Sequence, residues 1–189
     1  MPHTELSALW LPIVLSAVVV FFASFLIHMF LGYHKADYRT LPNEDKVMDA
    51  LRPFNIPPGD YMCPKPQSNA DMKSPEFEAK QKKGPVFLMT IWPGGEFQMG
   101  KYLVQWFIYS LVVALFAAYI AGRALPPGAP YLEAFRFAGA TTFIGYSLGM
   151  WQMSIWYHRS WGTTLRYTID GLIFGLLSGG VFGWLWPKM

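Results

Sequence analysis

The sequence predicts an all-α integral membrane protein. The expected architecture is a four-transmembrane-helix up-down bundle with a small polar α(+β) insert between helices one and two. Three observations carry this. Of 189 residues, 53% are hydrophobic, 17% aromatic and only 14% charged, whereas an average soluble domain carries about 25% charged residues. The charges are also segregated: ten Lys/Arg and nine Asp/Glu fall in the 68 residues 34–101, and only eight in the other 121. Finally, four stretches approach the roughly 20 apolar residues with which a helix crosses a ~30 Å hydrocarbon core. An ordinary soluble domain, a disordered chain and a disulfide scaffold are excluded, the last by a single cysteine, Cys63.

Residues 1–33 form the N-terminal segment and the first helix. The apolar run over 8–33 contains no Asp, Glu, Lys or Arg. A cleaved signal peptide needs a basic start, a 7–15-residue apolar stretch and a small-residue cleavage site. Residues 1–7 hold no Lys or Arg, the run is too long, and it ends in Gly-Tyr-His-Lys. The segment therefore reads as a permanent helix, with Pro12 in its first turn, where a missing N–H costs little.

Residues 34–101 form the polar insert, expected on the cytoplasmic side. Asn43 with Glu44 and Asp45 marks a helix start, Val47, Met48 and Leu51 share a face, and Pro53 stops it. A second helix begins at Ser74-Pro75, with Glu76 and Glu78 early, Lys80, Lys82 and Lys83 late, and Gly84 closing it. Those lysines suit either solvent or anionic lipid. Pro57-Pro58-Gly59 is a tight turn, and the apolar run 86–92 reads as a buried strand or an interfacial segment that joins Tyr61 and Met62 in a hairpin-like core. At this size the insert is expected to lean on the helices or on a partner.

Residues 102–189 hold three more spans, about 102–121, 132–157 and 165–186. Their short connections, broken by Pro126, Pro127, Gly128 and Pro130 in one case, make them antiparallel neighbours. Placing both termini outside puts twelve Lys/Arg on the cytoplasmic side, counting Arg159 and Arg166, against Arg123, Arg136 and Lys188 on the other. Aromatic residues mark the same boundaries: Tyr33, Tyr102, Trp106, Trp156, Tyr157, Trp161 and Tyr167 inside, Trp10, Tyr131, Trp184 and Trp186 outside.

The strongest pattern is a glycine at every fourth position of the last span: Gly171, Gly175, Gly179 and Gly183. Small residues let helix backbones approach in lipid, and a period of four favours a right-handed crossing. The expected partners are Gly145 and Gly149 on the third span and Ser110, Ala114, Ala118 and Gly122 on the second. A stripe like this serves packing within one bundle or association with another subunit.

Ionisable groups in the spans gather near the inner face. His28 lies five residues from the end of the first span, about 7 Å deep at 1.5 Å per residue. Asp170 lies at nearly the same depth in the last. His158 and Arg159 close the third span, Arg166 opens the fourth and His34 stands just outside, while Ser16, Ser24 and His28 share an arc. Ionisable residues within a span are costly and normally paired. Asp170 is expected to pair with Arg166 or to accept a hydrogen bond from His28, fixing helix register. The same groups suit a proton-linked or anion-binding site, or a haem b held by His28 and His158.

No phosphate loop, metal-ligand spacing or nucleophile elbow is present, and no cofactor is required by the sequence. Cys63 reads as an inert thiol. The insert's basic residues are matched by acids, which gives nucleic-acid binding no support. The leading expectation is a non-catalytic membrane subunit or scaffold, partnered by lipids and by itself or another membrane subunit through the glycine stripe. The alternatives are a small oligomeric transporter or proton-coupled carrier using Asp170 and His28, and a haem- or quinone-binding redox protein.

Overall fold

The computed structural model describes residues 3–188. In chain order its elements are α1 (Trp10–Leu26), α2 (Glu44–Leu51), β1 (Gly59–Cys63), α3 (Pro75–Lys83), β2 (Phe87–Ile91), α4 (Met99–Ala124), α5 (Tyr131–Ser147), α6 (Trp151–Tyr157) and α7 (Trp161–Trp184). They fall into two compact units, one comprising the chain up to Arg39 and from Gln98 onward, the other Thr40–Phe97. The smaller unit lies within the expected insert 34–101, and residues 34–39 and 98–101 cluster with the helices.

Among the described residues, three helical stretches are long and apolar enough to cross a membrane: Leu6–Leu31, Met99–Ala124 and Trp161–Trp184. The first is α1 extended by a 3-10 turn over Leu6–Leu9 and a π-turn over Ile27–Leu31. The expected continuous helix over 132–157 is not formed. It divides into α5 with 17 residues, a 3-10 turn over Leu148–Met150, and α6 with seven. Seventeen residues reach only about 25 Å. The break falls in a stretch holding Gly145, Ser147 and Gly149, and each glycine disfavours a helix interior by about 1 kcal/mol relative to alanine.

In the helical unit α5 packs along α7, α4 touches α1 and α5, and α1 touches α7. The α5–α7 contact is set by glycine. A Cβ on Gly175 would stand 2.8 Å from the Gly139 carbonyl oxygen, and one on Gly139 would stand 2.9 Å from that of Gly175. A Cβ on Gly179 would meet the Phe135 carbonyl at 2.8 Å, one on Gly183 the Tyr131 ring at 2.7 Å, and one on Gly171 would overlap Ser147 Oγ. Backbone therefore lies against backbone, and the stripe is occupied by α5 of the same chain. Its partner glycine is Gly139, not the expected pair: Gly145 faces the Val113 side chain of α4, and Gly149 opens into space. Nor does the small face of α4 oppose the stripe. Ser110, Ala114, Ala118 and Gly122 are buried, and Gly122 sits under the Thr4 carbonyl.

One buried cluster, which includes Leu9, Ala118, Ala121, Ala134, Ala138 and Phe182, fills the helical unit near the α4–α5 connection. A smaller one of Val20, Ile27 and Phe174 lies nearer the π-turn. The end of α4 has its free carbonyls satisfied from other segments. The Thr4 amide donates to Gly122 and Leu125, and Trp186 Nε1–H donates to the Pro126 carbonyl at 3.0 Å.

In the smaller unit, β1 and β2 pair antiparallel from Gly59 opposite Ile91 to Cys63 opposite Phe87, with Tyr61 facing Met89 in register. The run 86–92 is not the buried strand expected, since Val86, Leu88 and Trp92 are all exposed. Ser74 caps α3 by accepting the Phe77 N–H at 3.1 Å. Asn43 makes no such bond: its φ of 52° is left-handed, whereas a capping side chain needs extended backbone.

Replacing Gly175 with Leu forces α5 and α7 apart and should cost at least the 1–3 kcal/mol typical of overpacking. Gly149→Ala, facing open space, should stay within about 0.5 kcal/mol of wild type. Thermal unfolding of both variants in one detergent checks the contrast.

Candidate functional site

The site begins where α1 stops being regular. The π-turn over Ile27–Leu31 ends at Gly32, whose φ of 68° is left-handed, a conformation glycine adopts without the Cβ penalty. The chain reverses there, and a short 3-10 turn over Tyr33–Ala36 brings Tyr33 and His34 back beside α1 and α7. As a result the His34 ring stacks on that of His28, with centroids 4.2 Å apart and planes at 7°.

Asp170, on α7, is 3% exposed. Tyr33 Oη donates to its Oδ1, and its Oδ2 lies 2.8 Å from His34 Nε2. The other His34 nitrogen, Nδ1, lies 2.6 Å from Asp37 Oδ2. Arg166 Nε donates to Asp37 Oδ1 at 2.6 Å, and its terminal nitrogen donates to Thr163 Oγ1 at 3.3 Å. One chain of polar contacts therefore runs Tyr33–Asp170–His34–Asp37–Arg166, with both carboxylates and the imidazole at most 9% exposed. An ionised carboxylate only accepts hydrogen bonds. His34 must therefore carry a proton on each nitrogen, or one carboxyl must carry one. Burial pushes the Asp37 carboxyl up, but the hydrogen bonds from His34 and Arg166, with their charges, hold it below its ordinary value.

This pairing corrects the sequence expectation. Asp170 takes its partners from Tyr33 and His34, and Arg166 turns to Asp37 instead. His28 meets the cluster through its ring face, while its Nδ1 lies 3.0 Å from the Ser24 carbonyl one turn back in α1. Of the expected polar arc on the first span, Ser16 and Ser24 are buried, whereas His28 is exposed. His158 occupies the left-handed residue that ends α6, with φ 56°. The Arg159 guanidinium sits 4.8 Å over the Tyr167 ring, which in turn meets His34 edge-on at 5.3 Å. The structure thus gathers His28, Asp170 and Arg166, keeps Arg159 one ring away, and adds Tyr33, His34 and Asp37. Only the short spacing of His34, Asp37 and Gly32 hinted at these additions. Loop residues that fold back on a helix leave no periodic trace.

Beside the cluster the helical unit carries a half-open cavity of about 640 Å³. Its walls are apolar, with Phe21, Phe25, Leu103 and Phe174 among them, and His28 and Asp170 also line it. Four aromatic rings make up one wall: Tyr146 lies 5.1 Å from Phe174, 5.3 Å from Tyr109 and 5.8 Å from Trp106, centroid to centroid. Tyr109 Oη is bonded to the Gly145 carbonyl at 2.8 Å. Trp106 also lines this wall, and its buried Nε1 has no hydrogen-bond partner among the described residues. A buried donor left unpaired costs about 1–3 kcal/mol.

One ring nitrogen of His28, one of His34 and a carboxylate oxygen of Asp170 lie within 4.8 Å of one another. No protein family, curated protein or solved structure matches the chain.

Replacing Arg166 with Met leaves Asp37 buried without its cation. Breaking such a pair on one side costs about 3–5 kcal/mol. The double variant Arg166→Met with Asp37→Asn should recover part of that loss. A double-mutant cycle on thermal unfolding in detergent measures it, and strictly additive losses would show that the two groups do not interact.

Proposed function

We propose that this protein is an integral membrane protein that binds a lipophilic ring compound with an acceptor oxygen, of the quinone class. The observation that carries the reading is a largely apolar cavity walled by four aromatic rings, one of them Trp106, whose buried indole N–H has no hydrogen-bond partner among the described residues. About 640 Å³ is within the usual range for small-molecule sites. The rings of Trp106, Tyr109, Tyr146 and Phe174 offer stacking faces, and a turn of the Trp106 indole toward the cavity would bring its unpaired N–H to a carbonyl oxygen. At the polar end, His28 and Asp170 meet the ligand's other side.

Four crossings fit this reading. The segment over α5 and α6 supplies the crossing that no single helix provides. Non-helical backbone is tolerated at membrane depth where it borders a cavity, and Tyr146 and Met150, flanking the break, both line this one. The distribution of Lys and Arg favours both termini outside and the smaller unit on the cytoplasmic side. The exposed apolar residues of α4, such as Val104, Ile108, Val112 and Phe116, then face lipid. A scaffold role would have to use a face other than the glycine stripe, because α5 of the same chain covers it.

The test is calorimetric titration of a short-tailed benzoquinone into the protein in nanodiscs, against empty discs. Saturable binding is expected, weakened about three- to tenfold in Trp106→Phe, the equivalent of one neutral hydrogen bond. Heats indistinguishable from empty discs would refute the assignment.

A further inference from the structure

We propose that His28, His34 and Asp170 bind a divalent metal ion of the zinc type. Their three donor atoms lie within 4.8 Å of one another. Around a tetrahedral Zn²⁺ with bonds of about 2.0–2.2 Å the donors stand roughly 3.3–3.6 Å apart, so small side-chain shifts close this triangle onto an ion. Two imidazoles and one carboxylate also suit the borderline divalent cations.

The surroundings leave one nitrogen of each histidine for an ion, and binding turns His28 out of its parallel stack on His34, because an imidazole lone pair lies in the plane of its ring. A ligating histidine usually donates its second N–H to a carbonyl or carboxylate, which fixes tautomer and ring orientation. Both histidines do so here. His28 Nδ1 is 3.0 Å from the Ser24 carbonyl, and His34 Nδ1 is 2.6 Å from Asp37 Oδ2. That leaves Nε2 of each as the lone-pair nitrogen. Asp37 is itself held by Arg166 Nε at 2.6 Å. Tyr33 occupies Oδ1 of Asp170, leaving Oδ2 for the ion. The 2.8 Å contact between His34 Nε2 and Asp170 Oδ2 is bridged by a proton in the metal-free state, and the ion takes that proton's place, releasing it to solvent. With His28 and Asp170 both lining the cavity, the remaining coordination positions open toward it. The inference stands on the geometry of the three residues and not on the identity of the cavity's occupant.

The experiment titrates ZnCl₂ into untagged, chelator-treated protein in nanodiscs with no quinone present, so its failure leaves the cavity reading standing. Co²⁺ serves as the spectroscopic probe. One saturable ion per chain and visible Co²⁺ d–d bands are expected. His34→Ala should abolish both, and Asp37→Asn should weaken Zn²⁺ binding about 10- to 100-fold through the lost support of His34. His158→Ala, outside the cluster, should bind like wild type. If His34→Ala does not fold, His28→Ala decides, since its hydrogen bond lies within its own helix; a loss of at least 100-fold is expected. Absence of saturable binding in the wild type overturns the proposal, as does equal weakening by His158→Ala or unchanged stoichiometry in His28→Ala.

Discussion

A carboxylate in a helix long and apolar enough to cross a membrane needs partners, and much of this end of the helical unit is arranged around that need. Asp170 is 3% exposed on α7. An uncompensated charge there would carry a desolvation cost of several kcal/mol. The chain answers with residues from beyond the first span. The helix loosens into a π-turn, reverses at Gly32, and delivers Tyr33 and His34 to the two carboxylate oxygens. Satisfying His34 then requires Asp37, and satisfying Asp37 requires Arg166. A single buried group thus ties the end of α1 to the start of α7 across more than 130 residues of sequence.

The second constraint is the close approach of α5 and α7. With Gly139, Gly175 and Gly179 at the contact, carbonyl oxygens fill the positions that Cβ atoms would need. Such contact supplies dispersion attraction where lipid removes the hydrophobic driving force. The same stretch of chain pays with continuity: α5 ends at Ser147, whose Oγ lies against Gly171 and finds no hydrogen-bond partner. The residues around that break, Tyr146 and Met150, become cavity wall. Tight packing on one side of α5 and open space on the other are two results of one small-residue pattern.

The cavity and the cluster are adjacent because His28 and Asp170 belong to both. A largely apolar pocket walled by four aromatic rings meets a hydrogen-bonded acid–imidazole array at its edge, and all of these residues belong to the helical unit. In the smaller unit the two-stranded sheet leaves Met62, Phe87 and Leu88 exposed.

Composition and periodicity pointed to a membrane protein, and three of the expected apolar segments are helices long and apolar enough to cross a membrane, because hydrocarbon thickness and the missing solvent impose that pattern on a spanning chain. They also marked Asp170, since an acid among apolar residues stands out. Tertiary structure decided what local patterns cannot encode. It set which glycine opposes which, exchanging the expected Gly145 and Gly149 for Gly139. It broke the helix expected over 132–157, where a run of apolar residues hid weak helix formers. It also gave Asp170 to Tyr33 and His34, and Arg166 to Asp37. Partner choice among buried polar groups depends on where a loop turns back, and one left-handed glycine settles that only once the helices around it are packed.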